Sequence, residues 1–386
     1  MEPELLPPDR GSDEGLEIPQ ELTAATADLF APKPAEKHYL RWIFIGSEGL
    51  RAGWSVAIFI PLTILLAMGI GRLFLRLHLV TKGAPTVFTP RAAIFGELIG
   101  VTAILCAAAL VALIERRRNS VLAFNLTGPR PVIHFVTGLV AGFVALSVLV
   151  WALTLGGWMH FGSVALSGAN IARYAVLWGC AFLLVGCFEE GTFRCYLQFT
   201  LTRGINFWWA LGLVGAMCAD LVLTAKGNGL WGVYGMALLG VAPCLVLHLQ
   251  KVEGNGFWQA AWVTSTLFGF VHTSNNGENW IGIFAAALIG FVFVVSIRVT
   301  GSAWWAIGCH ASWDWAETYF YGAADSGNMA TGHYLTTTAA GNALWSGGTD
   351  GPEGSLLVLP VILLLLLAIL VLYGRKRPEA VGQMAA

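Results

Sequence analysis

Apolar residues run through this chain in long blocks rather than in the alternation of amphipathic elements. Against the ~20 apolar residues that a helix needs to cross a bilayer, blocks stand at roughly 53–75, 92–114, 132–155, 172–199, 207–225, 230–249, 257–273, 281–298, 303–321 and 355–374. They predict an all-α fold: a polytopic membrane helix bundle of about 8–10 transmembrane helices. The pair within 207–249 is the weakest, because Asp220 and several glycines interrupt it. Residues 1–45 are rich in Pro, Glu and Asp and too polar to insert, which predicts a disordered cytoplasmic tail and no cleavable signal peptide. Residues 46–160 then hold N-terminal transmembrane helices, 323–354 a Gly-rich non-cytoplasmic loop, and 355–374 a C-terminal transmembrane helix. The loop is longer than a simple turn. A segment folded over the bundle and a solvated connector both fit it.

Composition supports the membrane reading. Of 386 residues 56% are hydrophobic and only 12% charged, where a soluble domain carries roughly 25% charged residues. The net charge of -1 gives no footing for nucleic acid. The seven cysteines lie in apolar stretches without a Cys-x-x-Cys pair and read as small buried hydrophobes. Positive charge in short loops sets orientation. Arg116–Arg118, Arg203, Lys251, Arg298 and Arg375–Arg377 fall on one side if all ten blocks span, so both termini are expected in the cytoplasm. Arg72, Arg76, Lys82 and Arg91 disagree with that assignment.

Ionisable residues inside apolar spans are costly and mark function. Glu189 and Glu190 sit side by side in one such block. Arg194 lies four residues beyond Glu190, on the same helix face, whereas Glu189 is turned about 100° away. Glu190–Arg194 is therefore expected as a supporting ion pair, and Glu189 is left as the candidate general base. His272 closes Phe268-Gly269-Phe270-Val271-His272, and Asp314 follows His310 by one turn. A carboxylate at one ring nitrogen fixes the tautomer and presents the other nitrogen outward. That pair suits a proton shuttle, an oxyanion donor or a metal ligand. Bland readings stand beside each: a structural ion pair, and histidines that bond neighbouring helices. His134 and His248, in other blocks, read as structural or interfacial. The block limits put Glu189 and His310 in one half of the membrane and His272 toward the opposite end, a mismatch that could exceed about 10 Å. A single long helix over about 170–202 would close it.

Glu189-Glu190-x-x-x-Arg194, Phe268-x-x-x-His272 and His310-x-x-x-Asp314, in this order and each in an apolar helix, resemble the CPBP family of intramembrane proteases. This family is also called the CAAX-protease and bacteriocin-processing family. The resemblance covers about 165–320. It departs from the family pattern in the apolar pair at 207–249, between the first two motifs, and in Cys195, where the family often has glycine.

What the resemblance implies is an intramembrane endopeptidase in which Glu189 activates water with help from His272, while His310 and Asp314 stabilise the oxyanion. The implied substrate is a membrane-anchored peptide or protein, including prenylated CAAX segments, met within the lipid bilayer. The implied location is multi-pass, in the plasma membrane of a prokaryote. A zinc ion held by Glu189, His272 and His310 is chemically possible; catalysis without a metal or other cofactor is the preferred expectation. Two alternatives come from other classes. One is a non-proteolytic membrane regulator or scaffold. The other is a proton-coupled transporter using Glu189, His272 and His310 as a relay. Nothing in the sequence fixes the oligomeric state.

Overall fold

Each apolar block forms a helix because a backbone in lipid must satisfy its own N–H and C=O groups. The computed structural model describes residues 43–46, 49–81, 88–115, 130–224, 229–251, 254–275 and 277–374. The tail at 1–42, Lys82, Arg116–Arg118 and Arg375–Arg377, on which the tail and orientation expectations rest, lie outside the described residues. The helices are α1 (Ala52–Arg76), α2 (Pro90–Glu115), α3 (Pro131–Leu155), α4 (Ala169–Thr202), α5 (Phe207–Thr224), α6 (Gly229–Leu249), α7 (Asn255–His272), α8 (Trp280–Thr300), α9 (Trp304–Asp314) and α10 (Val358–Tyr373). Seven are long and apolar enough to cross a membrane, namely α1–α6 and α8. The shortfall from ten has visible causes. α7 spends positions on Gln259, Thr264, Ser265 and Thr266, all buried inside the protein. α9 and its continuation to Tyr321 carry His310, Asp314 and Glu317, and α10 has 16 residues.

α4 is one continuous 34-residue helix, the arrangement that relieves the depth mismatch. Its ladder widens into a π-helical stretch at Gly191–Leu197, directly after Glu190. α9 does the same at Trp315–Tyr321, directly after Asp314. Such widened turns are uncommon and concentrate at functional sites.

Glycines set how closely the site-bearing helices approach. α3 crosses α9 through Gly138 and Gly142: a Cβ at either would strike the Trp305 or Cys309 carbonyl oxygen. This small-xxx-small spacing lets backbones touch where lipid supplies no hydrophobic drive. Gly186 of α4 meets Ile307 of α9 likewise. At the far end of α4, Arg203 pairs with Glu115 of α2 at 3.3 Å, and the Tyr196 hydroxyl donates to the Ser55 carbonyl of α1 at 3.2 Å.

The segment at 323–354 is folded onto the bundle. Strand β1 (Met159–Val164) pairs antiparallel with β2 (Leu335–Ala339), Met159 opposite Ala339, with a bulge between Phe161 and Val164. Asn279 caps the start of α8 through Ile281 N–H at 2.8 Å and donates to the carbonyls of Gly347 at 3.3 Å and Gly354 at 3.1 Å. Its own N–H donates to Asp350 Oδ2 at 3.1 Å. The cysteines correct one expectation. Cys195, Cys244 and Cys309 are buried, but Cys106 and Cys180 are exposed, because those two positions face outward from α2 and α4. His134 packs edge-on to Tyr373 and His248 stacks on Phe207.

Candidate active site

The three motifs meet at one cavity of about 290 Å³. α4 supplies Glu189, α7 supplies Phe268 and His272, and α9 supplies His310 and Asp314. Glu190 and Arg194 stand behind this wall, both fully buried.

The adjacent glutamates have different surroundings. Glu190 Oε1 accepts from Arg194 Nη1 at 3.3 Å and from His310 Nδ1 at 2.9 Å. Glu189 lines the cavity with a quarter of its side chain exposed. Its Oε2 has no hydrogen-bond partner among the described residues. A buried guanidinium needs more than one partner to offset its desolvation. Arg194 has the Glu190 carboxylate, the Gly290 carbonyl at 3.4 Å and the Phe268 ring, 3.9 Å from Cζ. Gly290 leaves room for the guanidinium, since a Cβ there would meet Arg194 Nη2. Phe268 thus carries two functions: its ring seats Arg194, and its carbonyl meets His272 Nδ1 at 2.7 Å. The latter bond puts the proton on Nδ1 and leaves Nε2 as the free nitrogen.

His310 is held on both edges. Nδ1 donates to Glu190, and Nε2 lies 3.6 Å from Glu189 Oε2 and 3.5 Å from Asp314 Oδ2. Its ring stacks on Phe293 of α8 at 5.8 Å. All six motif residues are therefore brought together: Glu189, His272, His310 and Asp314 around the cavity, Glu190 and Arg194 in its support.

Local spacing gave no sign of several neighbours. Glu97 and Phe88 enter the cavity from the α2 side. Phe293 comes from α8, and Asp325, Ser326, Asn328 and Glu353 come from the segment at 323–354. The only available signal was an acidic, lysine- and arginine-free loop after the last motif. Outside the spans, burial raises the Glu278 carboxyl to about 9, with the Asp350 and Glu353 charges adding to it. Burial likewise raises Asp325, Asp350 and Glu353 to about 7.

The zinc trio can be tested on donor geometry. Among the described residues, the group of three metal-ligating side chains whose donor atoms all lie within 4.8 Å of one another is Glu317, Asp325 and Glu353. Glu189, His272 and His310 do not converge in this way, and His310 has both nitrogens turned to carboxylates. The trio as arranged does not form a zinc-sized cage.

No curated protein and no solved structure gives a significant match to this chain. The family model of type II CAAX prenyl endopeptidase, Rce1-like, matches residues 244–316, a stretch that holds Phe268, His272, His310 and Asp314. With seven helices able to span a bilayer, the chain is an integral, multi-pass membrane protein whose residues 244–316, which carry the second and third of its motifs, match the Rce1-like CAAX prenyl endopeptidase family.

Proposed function

We propose that the protein is an intramembrane endopeptidase that hydrolyses a peptide bond of a membrane-anchored substrate, prenylated CAAX-type segments being the first class to try. One observation carries this reading: of two adjacent glutamates, Glu190 is enclosed by Arg194 and His310, while Glu189 faces a cavity shared with two histidines, its Oε2 making no hydrogen bond among the described residues.

In the proposed reaction a water bound at Glu189 gives it a proton, and the hydroxide attacks the carbonyl carbon. His272 Nε2, fixed by the bond from Nδ1 to Phe268, orients that water. His310 donates from Nε2–H to the developing oxyanion, and Asp314 and Glu190 hold its ring. The tetrahedral intermediate collapses as Glu189 returns its proton to the leaving amine, giving a carboxylic acid and an amine. No step needs a metal. The apolar part of the cavity wall, with Phe182, Val185, Ile289 and Ile362, suits an apolar chain beside the scissile bond. The match of residues 244–316 to the type II CAAX prenyl endopeptidase family supports the prenylated class. The test is cleavage of a farnesylated Cys-a-a-X peptide by purified protein: release of the tripeptide is expected, and its loss in Glu189→Ala. Cleavage that survives in Glu189→Ala removes Glu189 from the base role.

A further inference from the structure

Below the catalytic wall lies a second cluster, built by the π-helical end of α9 and the segment at 323–354. Its members are Glu317, Asp325 and Glu353, one carboxylate oxygen of each lying within 4.8 Å of one from each of the others. Three carboxylates this close repel strongly unless something positive lies between them. Apart from His310, whose ring acts on Asp325 and Glu353 from the catalytic wall, the chain supplies no cation nearby in sequence: 299–374 contains no lysine or arginine. Among the described residues, none of the three makes an ion pair.

A second observation is independent of the clustering. Glu317 is fully buried, and neither of its carboxylate oxygens has a hydrogen-bond partner among the described residues. A buried carboxylate aimed at two others, with both oxygens free, is costly unless it ligates something. Its neighbours, by contrast, are positioned. Thr318 Oγ1 donates to Asp325 Oδ2 at 2.8 Å. Trp313 Nε1 donates to Glu353 Oε1 at 2.7 Å, and Ser326 Oγ to Glu353 Oε2 at 3.3 Å. Such bonds orient ligating carboxylates while leaving lone pairs free to bind. The backbone also leaves room for Glu317. Gly351 has φ 112°, and a Cβ there would strike the Ala324 carbonyl and stand 3.3 Å from Glu317 Oε1.

We propose that Glu317, Asp325 and Glu353 bind a hard divalent cation of the calcium class, which ties the 323–354 segment to the end of α9. The donor set is all oxygen, which selects against zinc and copper and in favour of calcium, magnesium or manganese. Calcium fits best. Its bonds of about 2.3–2.6 Å span oxygen pairs up to about 5 Å apart, whereas magnesium at about 2.1 Å needs a tighter cage. Asp325 and Glu353 also line the catalytic cavity, so the ion would set one wall of it. The site stands on these three residues alone and does not depend on the protease reading.

The test is calcium titration by calorimetry of the full-length, detergent-solubilised protein after chelator treatment, with thermal unfolding alongside. One calcium per chain is expected, with a rise in melting temperature that magnesium reproduces only weakly. Glu317→Gln and Asp325→Asn should abolish this binding. Trp313→Phe should weaken it about 10- to 100-fold, the usual effect of losing an outer-shell partner. Asp220→Asn, at an exposed acid on α5, should bind as wild type does. Absence of saturable calcium binding by folded wild type overturns the proposal. So does Glu317→Gln that binds calcium normally, or that raises stability with no calcium dependence; the latter would make the cluster a set of protonated acids. If Glu317→Gln does not fold, the wild-type stoichiometry and Asp325→Asn decide. None of these readouts uses proteolysis, so failure here and failure of the proposed activity are separable.

Discussion

Replacing Glu190 by alanine separates structural from chemical roles within one dipeptide. Glu190 and Arg194 are both fully buried, so solvent screens neither charge. Removing one member of such a pair leaves the other charged and uncompensated, at a cost of about 3–5 kcal/mol. The His310 Nδ1 donor also loses its acceptor at 2.9 Å, worth about 1–3 kcal/mol on its own. The two losses share a residue and will not add fully. A destabilisation of about 4 kcal/mol is the working figure, a large share of the ~5–15 kcal/mol that holds a typical domain together. Glu189→Ala should behave differently. That side chain is a quarter exposed and its Oε2 makes no hydrogen bond, with only the His310 Nε2 contact at 3.6 Å to lose, so stability should change by no more than about 1 kcal/mol. The assay is unfolding of the detergent-purified variants, followed by tryptophan fluorescence. Adding Arg194→Met to Glu190→Ala should recover part of the loss, because no unpaired charge remains and methionine can still pack on Phe268. Equal stability of Glu190→Ala and Glu189→Ala refutes the division of labour. Failure of the double variant to recover anything would show that the guanidinium was not the strained partner.

Other consequences can be checked in the same preparations. Gly142→Val should cost about 3 kcal/mol or block folding, since its side chain would meet the Cys309 carbonyl across the α3–α9 crossing; near-wild-type stability would mean that the helices are not that close. His272→Ala should cut turnover about 100-fold or more, in the range for lost acid–base assistance, with little change in melting temperature; full activity would remove it from the reaction. Glu278 gives a pH dependence. Its carboxyl titrates at 4.5 when free and at about 9 in the fold, held there by burial and by Asp350, Glu353 and Asp325, with Asn275 opposing. The folded protein keeps a proton between those values that the unfolded chain releases. That contribution to stability is complete below pH 4.5 and is lost as pH rises to about 9, at up to ~1.4 kcal/mol per pH unit. Glu278→Gln should flatten the slope in thermal unfolding between pH 5.5 and 8.5, and an unchanged slope would contradict the assignment.

Much of the site could be read from spacing because its pairs lie on single helices. Glu190 with Arg194, and His310 with Asp314, are each one turn apart, and their contacts at 3.3 and 3.5 Å follow from helix geometry. The long α4 was legible as well, because no proline falls within 170–202. The part of Phe268 was only half legible. Its turn-spacing to His272 is local, but the Arg194 guanidinium over its ring comes from another helix. Glu97, Phe293 and Glu353 carry no local signature, since they reach the cavity only through tertiary packing. The pairing of 159–164 with 335–339 was hidden for the same reason: its partners are far apart in sequence, and 335–339 is a short run of Leu, Thr and Ala inside a loop. α7 and α9 fall below the hydropathy of the seven clear spans because they carry polar residues buried inside protein.

The central claim is that Glu189 activates water for peptide hydrolysis. It is tested most directly by incubating folded wild-type and Glu189→Ala protein with a library of prenylated and membrane-anchored peptides and reading new termini by mass spectrometry. The account predicts new termini with wild type and none with Glu189→Ala. Cleavage by both proteins, or by neither while both remain folded, contradicts it.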